Sequence, residues 1–141
     1  LVTYPVNIKS ELDSSDTIAL AFGQTEKFDA KGQLIPGALV EKRLVFISKV
    51  GSVASTSATV TRWESTITQA LAGLFSFNPV KEATPTFLSN IRQNASVRYR
   101  NFPFADVTID YTVTNASNGK IYLILANSRE AAFAAIDTIK R

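Results

Sequence analysis

The chain has 141 residues, of which 45% are apolar and 19% charged, and a net charge of +3. This composition is typical of a globular protein, and the length predicts one domain over residues 1–141. The sequence contains no cysteine and no histidine, which excludes disulfides and thiolate zinc sites and removes the commonest general base. No apolar run approaches the roughly 20 residues of a membrane-spanning helix. We therefore expect no enzymatic activity, no catalytic residues, no metal, no cofactor and no membrane partner.

Period-two alternation and turn residues predict strands in the N-terminal part of the chain. The first strand is expected at residues 2–9, where Pro5 favours an edge position. A polar turn at residues 10–16 separates it from a second strand at residues 17–22. Asp, Lys and Gly at residues 28–34 predict a hairpin tip, and a further turn follows at Pro36 and Gly37.

The middle of the chain is less regular. A long central strand is predicted at residues 38–50 and a loop of small residues at 51–57. Residues 59–75 carry both a β-branched run and a helical apolar stripe, so we expect a strand to about Trp63 and then a helix. A long excursion is predicted at residues 77–93, with a short helical turn at 85–91.

Residues 97–114 contain the clearest β pattern of the sequence. From residue 106 onward, apolar and polar residues alternate, which predicts a strand that is half buried. Asp106 and Asp110 belong to the polar face, which we expect to be solvated. The usual rise per residue separates these two carboxyl groups by roughly 13 Å, too far for a glycosidase pair.

The C-terminal part predicts a hairpin followed by a helix. Residues 115–119 form the turn, residues 121–126 the strand, and Ser128 caps a helix whose apolar face is Ala131, Ala132, Ala135, Ile136 and Ile139. The predicted fold class is α+β, mainly an antiparallel β-sheet with an N-terminal hairpin and a C-terminal helix.

Positive charge is concentrated in the middle of the chain, because residues 41–100 have a balance of +5 whereas residues 1–31 have −2. Side chains on neighbouring strands could form a cationic sheet surface that neutralises RNA phosphates, while an exposed aromatic ring stacks on a base. The candidate RNA-binding residues are Arg43, Lys49, Arg62, Arg98, Arg100 and Phe102. The alternative is a solvated face whose arginine stems cover apolar neighbours.

Two short blocks resemble a known family. Residues 32–48, Gly-Gln-Leu-Ile-Pro-Gly-Ala-Leu-Val-Glu-Lys-Arg-Leu-Val-Phe-Ile-Ser, resemble the segment after the N-terminal hairpin in levivirus-like coat proteins of single-stranded RNA bacteriophages. Residues 97–99, Val-Arg-Tyr, and 105–109, Ala-Asp-Val-Thr-Ile, resemble the last long strand of those proteins.

The resemblance implies a capsid protein that forms homodimers, builds an icosahedral shell and contacts packaged RNA with the inner face of its sheet. Phe102 would occupy the position of a base-stacking aromatic, and the inner-face positions would be Arg43, Val45, Ile47, Lys49, Arg100, Phe102 and Phe104. The implied localisation is the virion, assembled in the bacterial cytoplasm.

Three features depart from that family. Val45 and Ile47 replace small polar residues that usually contact the RNA. The excursion at residues 68–93 is longer than the corresponding loop, and residues 121–126 predict a strand where the family has a helix. A strand followed by an Ala-rich helix also ends small pleckstrin-homology-like binding domains and compact envelope proteins. In that alternative, the basic middle of the chain binds lipid headgroups or a protein at the bacterial envelope.

Overall fold

A computed structural model of the chain describes residues 12–76 and 83–141. The strand predicted at residues 2–9 lies outside these ranges. Within them, the elements are β1 (Leu12–Gln24), β2 (Glu41–Val50), α1 (Val53–Phe75), β3 (Leu88–Arg92), β4 (Ala95–Asn101), β5 (Thr108–Asn115), β6 (Ile121–Ala126) and α2 (Arg129–Ile139).

The described strands form one antiparallel sheet in the order β1-β2-β6-β5-β4-β3. Helix α1 packs on one face of this sheet and α2 on the other, each over its own apolar core. The predicted α+β class, with its N-terminal hairpin and C-terminal helix, is confirmed.

The β1–β2 hairpin is longer than the sequence predicts. Strand β1 begins at Leu12, so the polar turn predicted at residues 10–16 is wrong from that residue onward. The strand continues because Leu12 pairs with Val50, and a register shift before Thr17 absorbs the irregular polar segment. The tip is confirmed by a bridge between Phe28 and Leu34.

Helix α1 replaces the loop predicted at residues 51–57 and the strand predicted to Trp63. Its N-cap is Ser52, whose side chain accepts a hydrogen bond from the Ser55 backbone N–H. The buried positions recur every three or four residues and include Val60, Trp63 and Ile67. Burial of this stripe against the sheet outweighs the weak strand preference of the β-branched residues around Val60.

Strand β5 is central and is covered on both faces. Ile109, Tyr111 and Val113 belong to the core beneath α1, as their alternation predicts. The opposite, polar face is also buried, with Asp110 only 2% exposed and Asp106 8% exposed. The predicted solvated face is therefore wrong, because α2 and the β1–β2 connection lie over it.

Residues 88–101 form a hairpin. Residues 88–92 are strand β3, so the helical turn predicted at residues 85–91 is wrong. Gln93 and Asn94 make the tight turn to β4 with positive φ angles of 49° and 59°. Pairing with β4 gives β3 the backbone hydrogen bonds that an isolated helical turn lacks.

The C-terminal elements agree with the sequence. Strand β6 spans the predicted residues, and Ser128 caps α2 by accepting a hydrogen bond from the Ala131 backbone N–H. Ala131, Ala132 and Ile136 are buried against the sheet. One helix is about 10 Å wide and covers about two strands spaced about 4.8 Å apart. Helix α2 also contacts β1, and Ile18 and Leu20 of that strand stay about half exposed on this face.

Candidate assembly surface

The predicted RNA-binding residues do not form one surface. On β2, Arg43 and Lys49 alternate in step with Val45 and Ile47, which belong to the core beneath α2. On β4, Arg98 bonds to Glu64 of α1 on the opposite face of the sheet. The cationic sheet surface expected from the sequence is therefore wrong, because the two pairs of basic residues lie on different faces.

Arg98 holds α1 against the sheet. Its Nε and Nη2 donate to the two carboxylate oxygens of Glu64, each at 2.8 Å, and its Nη1 donates to Ser89 Oγ at 3.0 Å. The Tyr111 hydroxyl donates to the same carboxylate at 2.6 Å. Burial, followed by the hydrogen bond to Glu64, raises the pKa of Tyr111 to about 12. Burial raises the pKa of Glu64, but the hydrogen bonds from Arg98 and Tyr111 outweigh this effect, so the pKa of Glu64 is lowered.

Arg100 and Phe102 also stabilise the fold. Arg100 Nε donates to the Thr84 carbonyl at 2.7 Å, and Nη1 donates to Thr68 Oγ1 at 3.1 Å. Phe102 is 1% exposed and belongs to the core beneath α1. The expectation of an exposed, base-stacking ring at Phe102 is therefore wrong, because the chain itself covers this ring.

Of the three remaining basic candidates, Lys49 and Arg62 are accessible, whereas the side chain of Arg43 is only 15% exposed. Arg43 pairs with Glu41 at 2.8 Å and Lys49 with Asp16 at 3.3 Å. Arg62 lies on the exposed side of α1 and bonds to Thr59 Oγ1 at 3.2 Å. RNA contact through these side chains stays a prediction.

Large apolar side chains are exposed along β1 and the connection that follows it. Ile18 is 51% exposed and Leu20 is 47% exposed. In the β1–β2 connection, Leu39 is 89% exposed and Val40 is 65% exposed. Strand β3, at the other side of the sheet, carries Ile91 at 74% exposure. Both outer strands of the described sheet thus present apolar side chains to solvent.

The apolar residues of β1 line a groove beside α2, which we call the β1 groove. One part, of about 220 Å³, lies between Leu20, Val45 and Ala135. A second part, of about 340 Å³, lies between Ile18, Ile47 and Ile139. The groove lies where α2 contacts β1 without covering Ile18 and Leu20.

The sequence contained a signal for this surface. Residues 18–22, Ile-Ala-Leu-Ala-Phe, are apolar at every position, whereas an edge strand with one solvated face shows alternation. The sequence does not reveal that β1 lies at the edge, because the order of the strands depends on long-range pairing.

The described residues also limit other kinds of site. No three of their acidic side chains come close enough together to hold a metal ion. None of their helices is long and apolar enough to cross a membrane.

Comparison with protein-family models, with curated proteins and with solved structures finds no match to this chain. The likeness to levivirus-like coat proteins thus depends on residues 32–48 and 97–109 alone. That likeness implies a sheet with one face open to RNA, whereas here every residue of β5 except Asn115 is buried.

Proposed function

We propose that the chain is a self-associating structural protein and, following the resemblance in its sequence, a coat subunit that builds a virion shell. The observation that carries this proposal is the β1 groove, an apolar surface at an outer strand of a sheet whose central strands are already covered. Soluble monomers seldom expose contiguous apolar surface of this kind without a binding role.

The two outer strands support association with more than one neighbour. An edge strand presents unpaired backbone groups that another chain can pair with, and natural monomers protect such edges with charge, proline or a covering loop. Within the described residues, β1 exposes Leu20 and β3 exposes Ile91. Two different edges on one subunit allow the repeated contacts from which a ring, a shell or a filament is built.

A role in RNA packaging would depend on charge rather than on base recognition. The net charge is +3, Lys49 and Arg62 are accessible, and Phe102 is buried. Contacts of this kind neutralise phosphates without reading sequence, so their strength falls steeply as salt increases.

The first experiment is size-exclusion chromatography with light scattering on the purified protein at several concentrations. The 260/280 nm absorbance ratio across the peak measures nucleic acid, and negative stain of the heaviest fraction shows whether particles are regular. We expect an assembly much larger than a dimer that contains nucleic acid.

Leu20→Lys tests whether the β1 groove forms the contact. A charge placed in an apolar interface loses its hydration, so we expect this variant to elute as a smaller species with unchanged circular dichroism. Gln69→Lys adds the same charge at an exposed position of α1 and is expected to assemble like the wild type. A monomeric wild-type protein at all concentrations would refute self-association and direct the search to a lipid or protein partner.

A further inference from the structure

A second cavity lies on the α2 face of the sheet, away from the β1 groove. It has a volume of about 80 Å³ and is enclosed by β3, β4, β5 and the beginning of α2. Its lining includes Asn90, Tyr99, Asn101, Asp110, Arg129 and Phe133. We call it the Asp110 cavity.

The register of the sheet and the period of α2 place these side chains together. Tyr99 lies directly opposite Asp110 in the β4–β5 pairing, so both project from the same face. Asn101 follows Tyr99 by two residues and lies on that face as well. Arg129 and Phe133 are four residues apart on α2 and form one wall.

Two oxygen atoms of this lining are buried without a hydrogen-bond partner in the described chain, Asp110 Oδ1 and Asn101 Oδ1. Leaving such an acceptor unpaired costs about 1–3 kcal/mol, and more when it is charged. Both atoms are acceptors, so the groups that satisfy them must donate hydrogen bonds. A ligand in which one atom carries several hydrogen-bond donors can donate to both oxygen atoms at once.

The remaining lining favours a small cation. Tyr99 and Phe133 border the cavity. Aromatic faces attract ammonium groups, and the Phe133 ring already has the Arg92 guanidinium 5.1 Å from its centre. The one cationic side chain in the lining, Arg129, directs Nη2 to Glu26 Oε2 at 2.9 Å, and its guanidinium lies 6.0 Å from the centre of the Phe28 ring. Its charge therefore acts both on Glu26 of the β1–β2 connection and on Asp110, whose carboxylate form it favours.

We propose that the Asp110 cavity binds a primary ammonium group, with Asp110 and Asn101 accepting its hydrogen bonds. One water molecule accounts for about 30 Å³, so the cavity accommodates about three heavy atoms, enough for an ammonium and a short alkyl stem. Two sources share this chemistry, a free alkylamine and the end of a lysine side chain. The proposal is independent of the assembly function.

Binding should depend on pH, because only the ionised carboxylate attracts the cation. Burial raises the pKa of Asp110 to about 7, and the Thr108 hydroxyl and the Arg129 charge partly oppose this shift. Tyr99 of β4 and Arg129 of α2 are the other titratable groups in the lining, and β3 contributes the uncharged Asn90. We expect affinity to fall about tenfold between pH 8 and pH 6.

The test is NMR titration of the ¹⁵N-labelled full chain with ethylammonium, and with ethanol as an uncharged probe of the same size. We expect ethylammonium at pH 8 to shift the amide signals around Tyr99, Asp110 and Phe133, and ethanol to leave them unchanged. Saturation with ethanol equal to that with ethylammonium would overturn the proposal, as would no response to ethylammonium at tens of millimolar.

Asp110→Asn preserves the shape of the side chain and removes its charge, so at least a tenfold loss of ethylammonium affinity is expected in a folded protein. Asp16→Asn removes an exposed carboxylate elsewhere on the sheet and should bind like the wild type. Unchanged affinity in Asp110→Asn would also overturn the proposal. In the wild type, tighter binding of a blocked lysine amide than of ethylammonium identifies a lysine side chain as the source, and the reverse order identifies a free amine.

Discussion

At the residue scale, burial changes the chemistry of the polar side chains on β5 and β4. Asp110 lies in the centre of the sheet at 2% exposure, where a carboxylate loses most of its hydration. Asp106 is also buried, and its Oδ2 accepts a hydrogen bond from the Phe28 backbone N–H at 3.2 Å. Asp106, in the turn before β5, and Asp110, on β5, thus have different environments, the first bonded to the hairpin tip and the second facing a cavity.

Asp110 should make the stability of the protein depend on pH. Its pKa is about 7 in the folded chain against an ordinary value of 3.8, so the folded state holds a proton that the unfolded state releases between these values. The contribution of Asp110 to stability is then largest at and below about pH 4 and falls as pH rises towards 7, by up to about 1.4 kcal/mol per pH unit. In Asp110→Asn this fall should disappear, and the variant should be the more stable protein at pH 8.

Urea denaturation of both proteins from pH 4 to pH 8 measures the effect. The carboxylates with lowered pKa values, such as Glu64 and Asp137, contribute equally to wild type and variant and cancel in the difference. A difference in unfolding free energy that stays constant across this range would show that Asp110 does not titrate there.

Arg98 should be important for stability. Arg98→Ala leaves the Glu64 carboxylate, which is 15% exposed, without its bidentate partner. Hydrogen bonds to charged groups contribute about 1.5–3 kcal/mol each to stability, and we expect a loss of about 2–3 kcal/mol in urea denaturation. Arg62→Ala removes an exposed cation from α1, the helix that carries Glu64, and should cost under about 1 kcal/mol of stability. Equal losses in the two variants would contradict the structural role of Arg98.

At the scale of elements, local pattern predicted some of the secondary structure and failed where packing decides. The strand at β5 and the Ser128 cap are predicted by local signals, and both are confirmed, but the predicted half burial of β5 is wrong because both of its faces are buried. Helix α1 was only partly predicted, because Thr59, Val60 and Thr61 favour a strand while the stripe that includes Trp63 and Ile67 favours a helix. Packing of this apolar stripe against the sheet favours the helix. A short window of sequence does not reveal such long-range contacts.

The candidate sites show the same difference between local signals, which the sequence reveals, and long-range packing, which it does not. The basic residues were found from composition, but their distribution over two faces depends on the register of β2 and β4. Burial of Asp110 depends on the position of α2 over β5, and exposure of Leu20 depends on β1 being an outer strand. Each is a consequence of strand order, which involves residues far apart in the sequence.

The cap of α2 should contribute more than the cap of α1. Ser128 is fully buried and its Oγ accepts from the Ala131 N–H at 3.2 Å, so Ser128→Ala leaves that N–H unpaired away from water. We expect a loss of about 1–2 kcal/mol. Ser52 makes the equivalent bond at 3.2 Å near the surface, where water can replace it, so Ser52→Ala should cost less. Thermal denaturation of the two variants compares them, and a larger loss for Ser52→Ala would contradict this account.

At the scale of the whole molecule, the two helices cover the central strands and leave the outer strands exposed. The outer strands β1 and β3 lie at opposite sides of the sheet, so a neighbour bound at one leaves the other free. Association at the two edges should therefore proceed in separable steps.

Variants of the two edges should stop assembly at different stages. Leu20→Lys places a charge on β1, and Ile91→Lys places one on β3, where the native side chain is 74% exposed. Loss of hydration opposes burial of either charge in an interface. If both edges form contacts, each single variant should yield a small species joined through the remaining edge, and the double variant should be a monomer of about 15.4 kDa.

Light scattering across a concentration series distinguishes these outcomes. Gln69→Lys on α1 controls for the added charge and should assemble fully. A large assembly in Leu20→Lys that persists in the double variant would show that neither edge is used, whereas a monomer in only one single variant would assign the whole association to that edge. Because an open edge extends a sheet and a closed shell needs two different contacts, only sensitivity at both edges agrees with the coat proposal.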